Sequence, residues 1–475
     1  MFHLGLLLTK PAGIYVRQRS RFSAQYCAEK VAPLSYLKEN REIKPNEMKD
    51  RSGLDMQAIK QAEKKTYQRD HQLTETVLEI IDSVQSRGDA ALLELAQRFD
   101  HTDLKCVKVD RPTIEKAYTL VDQETVKHIT FAADQIRWFA RQQLQCMQPL
   151  NVPSPIAGVE LGHRLVPVEK CGCYIPSGRY PLPSSALMSV ITAKVAGVKH
   201  VAACSPAFHG CGTIHPAVLV AMDIAGADDI YCMGGAQAIA AYAYGTETVQ
   251  KVDMIVGPGN KFVTEAKRQV LGDVGIDSLA GPSEVLILAD ETANPTFVAI
   301  DLLGQAEHDP NAKPILVCTD AGVIERSMAE LERLLADLPT RDVAQRSWED
   351  NGEVYLAESM EEAIALANRV APEHLEVQTK EERQVAARLY HYGSLFVGHY
   401  APVAFGDFVS GTNHILPTMS TARYSNGLCV KTFIKTPFHQ YVSQEGCKNL
   451  SESCMHFAQV EGLYAHRDSV RLRVE

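Results

Sequence analysis

The 475-residue chain reads as an α/β protein made of two Rossmann-like parallel-sheet units. Three observations predict this. From Gly172 onward, short β-rich runs alternate with helical runs, the pattern of βαβ units whose helices cover a parallel sheet. The alternation continues for more strands than one modest sheet holds, and the stretch GPSEV at Gly281–Val285 interrupts it as a hinge. With 45% hydrophobic residues, a chain of this length can bury more than one core.

The elements follow in order. The opening MFHLGLLLTK is too short an apolar run to span a bilayer, and it lacks the longer apolar core and small-residue cleavage site of a secretory signal. Lys10, Arg17, Arg19 and Arg21 precede the first acid, Glu29, as in an organelle transit peptide or a disordered start. LTETVLEIIDSVQSRGDAALLELAQRFD predicts two helices broken at Gly88. In the first sheet unit, GCYIP, HVAACSP, DIYCMG and VDMIVG read as strands between the helices SSALMSVITAKVAGV, IHPAVLVAMDIAGA, AQAIAAYAYG and KFVTEAKRQVL. In the second, SEVLILAD, PILVCTD, GEVYLAE, HLEVQT and SLFVG alternate with NPTFVAIDLLGQAEH, GVIERSMAELERLLADL, MEEAIALANRVA and EERQVAARLYHY. Past Tyr400 come loops rich in Gly, Asn, Pro and Ser, then a last helix near SCMHFAQVEGLYAHRDSV.

Composition narrows the function. A net charge of -10 without a long Lys/Arg block argues against nucleic acid and leaves small molecules as the ligands. No membrane partner is expected, and the chain reads as a soluble cytoplasmic protein. The twelve cysteines contain no CxxC pair and read as reduced, structural thiols.

Several motifs fall where such folds carry chemistry. Ligands of parallel sheets bind beyond the carboxyl ends of strands. Gly257-Pro258-Gly259-Asn260, between VDMIV and a helix, is either a phosphate-approaching turn or an ordinary tight one. No GxGxxG dinucleotide fingerprint occurs. Gln237, in the Gly turn GGAQAIA, can hydrogen-bond a ligand. In GQAEHDP, Gln305 and His308 are three apart and share one helix face, as metal ligands or as a polar helix end. Asp407 and His466 are further candidates, and two imidazoles with a carboxylate and an amide suit a borderline ion such as zinc. In APEHLEV, adjacent Glu373 and His374 are either a proton-transfer pair or a helix terminus with a capping histidine.

The stretches GGAQAIAAYAYGTETVQKVDMIVGPGNKFVTEAKR, GIDSLAGPSEVLILADETANP, QAEHDP, APEHLEV, GTNHILPT and EGLYAHRDSV make the chain resemble the histidinol dehydrogenase family over roughly Val77 to Val470. The resemblance implies one catalytic zinc per subunit, held by Gln305, His308, Asp407 and His466. It implies that Glu373 activates water and that His374 is the general acid/base. Ser283 and Glu461 would contact substrate, together with His374 and the zinc ligands, and Tyr174, Gln237 and Asn260 would contact NAD. It implies homodimers with shared active sites, in which the C-terminal tail, residues 429–475, crosses to the partner, so that Glu461 and His466 act in trans. The expected domains are an N-terminal extension at 1–65, a discontinuous catalytic domain at 66–171 and 283–428, and an NAD-side domain at 172–282.

The implied reaction is the four-electron oxidation of a small-molecule alcohol, L-histidinol, to L-histidine by two NAD through a bound aldehyde, a step of histidine biosynthesis. Departures from the family pattern are Ser177, where a second glycine is common, and Met419-Ser420, where a Gly pair is usual. Relatives with the same catalytic set oxidise other diols, such as sulfopropanediol, for which Arg179 or Arg423 would have to meet the sulfonate. A non-catalytic NAD- or metal-binding relative would lack Glu373 or His374, and both are present.

Overall fold

Two parallel sheets organise the chain, and each is covered on both faces. The computed structural model describes residues 57–62, 70–177, 180–208 and 212–475. The Arg-rich front end and Arg179 lie outside the described residues.

Strand β1 (Gln57–Lys60) comes first, followed by helices α1 (His71–Arg87), α2 (Asp89–Asp100), α3 (Arg111–Leu120) and α4 (Gln123–Gln145). Asp70, Asp110 and Asp122 start α1, α3 and α4 by accepting a backbone N–H of the first turn, and Gly88 breaks α1 from α2 as its sequence requires. Strands β2 (Leu150–Pro153), β3 (Val159–His163) and β4 (Val166–Pro167) lead into the first βα run. That run comprises β5 (Lys170–Tyr174), α5 (Pro183–Ala196), β6 (His200–Ser205), α6 (Pro216–Ala225), β7 (Asp229–Cys232), α7 (Gly235–Tyr244), β8 (Met254–Val256), α8 (Lys261–Val270) and β9 (Gly275–Ile276). Its strands form a parallel sheet in the order β7-β6-β5-β8-β9, so the winding reverses between β5 and β8.

The second run comprises β10 (Glu284–Ala289), α9 (Pro295–Ala306), β11 (Lys313–Cys318), α10 (Ala321–Asp337), α11 (Arg341–Asn351), β12 (Glu353–Leu356), α12 (Met360–Val370), β13 (His374–Gln378), α13 (Glu382–Ala386) and β14 (Ser394–Val397). Its sheet has the order β1-β12-β11-β10-β13-β14, with β1 antiparallel at one edge. Helix α14 (Val403–Phe408), strands β15 (Ile434–Lys435) and β16 (Phe438–Val442), and helices α15 (Gln444–Val460) and α16 (Tyr464–Val474) close the chain. The single last helix expected from sequence is thus two helices, parted where Gly462 takes a left-handed φ of 74°.

Strand alternation divides the core. In the five-stranded sheet, Cys171, Ala203 and Val256 face α3–α6, whereas Tyr174, Ala202 and Ile255 face α1, α2, α7 and α8. Helices α1–α4 therefore accompany this sheet, which corrects the expectation that residues 66–171 belong with 283–428. The cause is the apolar stripe Val77, Ile80, Ile81 and Val84 of α1, whose matching surface is α7 and α8. The expected extension at 1–65 is also corrected at its end, because Gln57–Lys60 is an integral edge strand. Among the described residues, no helix is long and apolar enough to cross a membrane.

Candidate active site

At the start of β13, Glu373 and His374 are 5% and 4% exposed. Parallel pairing sets His374 beside Val285, which brings both residues to the first residue of β10. The Glu284 N–H donates to Glu373 Oε2 at 2.9 Å, and His374 Nδ1 donates to the Glu284 carbonyl at 3.0 Å. A proton fixed on Nδ1 leaves His374 Nε2 to face the site. Nε2 has no hydrogen-bond partner and stands 3.5 Å from Asp407 Oδ1.

The charges around this pair shift both groups. Burial pushes the Glu373 carboxyl up to about 7; the His374 charge opposes the rise, and the Glu284 and Asp407 charges add to it. Burial alone would lower the His374 imidazole, but the Glu373 and Asp407 carboxylates outweigh it and raise the ring to about 9. Burial acts upward on Asp407, yet His374, His414 and His308 hold its carboxyl below the usual range.

Gln305 lies on the last turn of α9, is 3% exposed, and neither of its amide atoms has a hydrogen-bond partner. His308 follows just past the helix end, with Nε2 3.9 Å from Asp407 Oδ2 on α14. An unpartnered buried amide beside an imidazole and a carboxylate fits the donor set of a divalent cation. Within one chain this set is incomplete: among the described residues, no group of three or more His, Cys, Asp or Glu could hold a metal ion. His466 and Glu461 are exposed, on α16 and at the end of α15. Ser283 immediately precedes β10, and its carbonyl accepts Lys313 N–H at 2.9 Å.

The remaining expected residues gather at the carboxyl edge of the five-stranded sheet, at the β5/β8 reversal. Gly257 has φ 116°, and a Cβ there would stand 2.0 Å from the Tyr174 carbonyl oxygen, so only glycine permits this approach. Asn260 caps α8, its side chain accepting Phe262 and Val263 N–H at 3.0 and 3.2 Å. Tyr174 Oη accepts Gly235 N–H at 3.3 Å, and Gln237 lies on the first turn of α7, 3% exposed. A buried ion pair beneath this turn, Lys267 with Asp277, also binds the Gly257 carbonyl and N–H.

Sequence reasoning missed other residues that shape the site. Ser185, on α5, hydrogen-bonds His414 Nε2 at 3.0 Å, while His414 Nδ1 donates to the Asp407 carbonyl at 2.9 Å. Glu284, the half-buried Asp301 and the buried Glu376 were also passed over. Their signal was present: Asp301 and Glu376 are single acids inside apolar runs. Arg423 donates to the Arg369 carbonyl.

Fold and chemistry together define the class, an α/β protein with a buried Glu–His pair beside an unpartnered amide, an imidazole and a carboxylate. A family model for histidinol dehydrogenase matches residues 63–474. A protein named histidinol dehydrogenase homolog from Shouchella clausii is 43% identical over 421 residues, covering 88% of this chain and 99% of its own length. Histidinol dehydrogenase from Methanocaldococcus jannaschii is 44% identical over 400 residues, covering 84% of this chain and 92% of its own. The crystal structure of histidinol dehydrogenase from Elizabethkingia anophelis aligns with TM-score 0.82 at 36% identity, over 87% of this chain and 94% of that one. The chain belongs to the histidinol dehydrogenase family and is an oxidoreductase.

Proposed function

We propose that the protein is a zinc-dependent, NAD-linked cytoplasmic dehydrogenase that oxidises L-histidinol to L-histidine through a bound aldehyde. The observation that carries this reading is the orientation of His374, locked through Nδ1 so that unpartnered Nε2 faces Asp407. Gln305, His308 and Asp407 would hold zinc, with His466 completing the set. Tyr174, Gln237 and Asn260 would position NAD, and Ser283 and Glu461 the substrate. Zinc held there would supply Lewis-acid polarisation of the substrate and a counter-charge for Asp407, and NAD would supply the hydride acceptor. His374 Nε2 then takes the alcohol proton in the first oxidation. Glu373, as carboxylate, takes a proton from the water that adds to the aldehyde in the second. The buried setting of both residues keeps bulk water from the aldehyde.

We further propose a homodimer whose tails exchange. Support comes from α16, which has no buried residue, and from Phe457, Val460 and Leu472, which are 67%, 72% and 67% exposed on the last two helices. The same exchange would supply Glu461 and His466 from the partner.

Relatives named histidinol dehydrogenase and relatives named only homologs share nearly equal identity with this chain, so identity does not choose the substrate. Glu461, a carboxylate expected at the substrate, favours the cationic histidinol over an anionic diol such as sulfopropanediol. The test is NADH production by the purified protein with both alcohols. We expect kcat/KM for L-histidinol to be higher by at least about tenfold, or about 1.4 kcal/mol. Equal or greater efficiency with the sulfonated diol would overturn the substrate assignment.

A further inference from the structure

Behind the site, three elements meet at one buried polar point. Glu376, on β13, is 1% exposed and accepts the Val403 N–H of α14 on Oε1 at 3.0 Å. The Gln378 amide nitrogen donates to Glu376 Oε2 at 3.1 Å and to Asp301 Oδ2 of α9 at 3.1 Å. One amide nitrogen held by both carboxyl groups sets Asp301 Oδ2 and Glu376 Oε2 side by side. Two carboxylates so placed repel each other when both are ionised, and one proton shared between them removes the repulsion. Among the described residues, no cationic side chain forms an ion pair with either carboxyl group; Glu376 meets Asp301, the Gln378 amide and the Val403 N–H. Burial, then the Asp301 charge, pushes Glu376 well above the ordinary carboxyl range, and burial pushes Asp301 up to about 6.

The positions of these groups give the pair its consequence. Asp301 lies one helical turn before Gln305 on α9. Glu376 lies two residues after His374, on the same face of β13. Val403 lies one turn before Asp407 on α14. We infer that Asp301 and Glu376 hold one proton between them, and that this protonated pair is a clamp fixing the spacing of α9, β13 and α14, and with it that of Gln305, His374 and Asp407. Both acids are positioning residues. The bearing of the clamp on catalysis rests on the metal-dependent reading above, whereas the shared proton does not.

The test uses the full-length protein and two readouts. Infrared difference spectra of wild type minus Asp301→Asn and wild type minus Glu376→Gln at neutral pH should each show a protonated carboxylic-acid band, from which the Glu373 contribution cancels. Cobalt(II) affinity should stay within about threefold of wild type in either amide variant, because the amide supplies the hydrogen that the proton supplied, and should fall by about tenfold in Glu376→Ala. Absence of that band from both difference spectra would overturn the clamp. So would amide variants as weak for cobalt as the alanine variant. Where Glu376→Ala does not fold, the amide variants decide. Lack of L-histidinol turnover by the wild type would overturn the functional reading alone, leaving both readouts in force.

Discussion

Glu373 and His374 are adjacent in sequence, share one low-dielectric site and titrate about two units apart, near 7 and near 9. Glu373 therefore suits the water step of a two-step oxidation, while His374 serves the alcohol step and by its charge also holds the Glu373 carboxyl down toward 7. Glu373→Gln keeps the bond from Glu284 N–H but cannot take a proton. Its oxidation of the aldehyde, supplied directly, should fall at least about a hundredfold, the scale of a lost general base, with alcohol oxidation much less affected. Equal losses in rapid-mixing assays would contradict the division. The sign of the pH dependence follows from the raised value. The working form is the carboxylate, so aldehyde oxidation by the wild type should decline as pH falls through about 7, and that inflection should vanish in the Gln variant. His374→Asn should damage both halves. The identities of these two residues were plain in APEHLEV, but their burial, and the strand pairing that delivers Glu284 to both, depend on tertiary structure.

At the scale of elements, the βα alternation was legible because apolar runs and Gly or Pro breaks recur along the sequence, whereas the partner of each element was not. Strand β1 shows the difference: four residues of mixed polarity become ordered by pairing with β12, while Lys60 Nζ donates to the Gly352 carbonyl at 2.7 Å. Deleting the chain through Gln61 bares the β12 edge, so light scattering should report aggregation that deletion through Gly53 does not cause. The loop after β14 carries a second feature of this kind. Met419 and Ser420 both adopt left-handed φ, 54° and 63°, where side chains cost about 1 kcal/mol each. Ser420 Oγ donates to the Val370 carbonyl at 2.7 Å in return. Met419 is half-exposed, so Met419→Gly should raise stability by up to about 1 kcal/mol in denaturant melts, and Ser420→Gly should not.

Across the whole molecule, the two sheets present opposite ends to their chemistry. Tyr174 and Gly257 lie at the carboxyl edge of one sheet, as the usual crevice rule anticipates, while Glu373 and His374 lie at the amino edge of the other. Sequence reading singled out the first turn by that rule and the second pair by its adjacent acid and imidazole, while their roles came from resemblance. If the tails exchange, mixing His308→Ala and His466→Ala chains yields heterodimers with one intact and one doubly damaged site. Activity should return to about half that of wild type per heterodimer, and no return despite proven subunit exchange would put His466 in its own chain's site. Ser185 belongs to the five-stranded sheet's cover, and Asp407 sits just beyond the last strand of the six-stranded one, with His414 between them. Any breathing of one sheet against the other is therefore felt at the backbone of Asp407. Substitutions far from the centre that loosen this seam should appear first as poorer substrate capture, before any melting experiment registers a weaker fold.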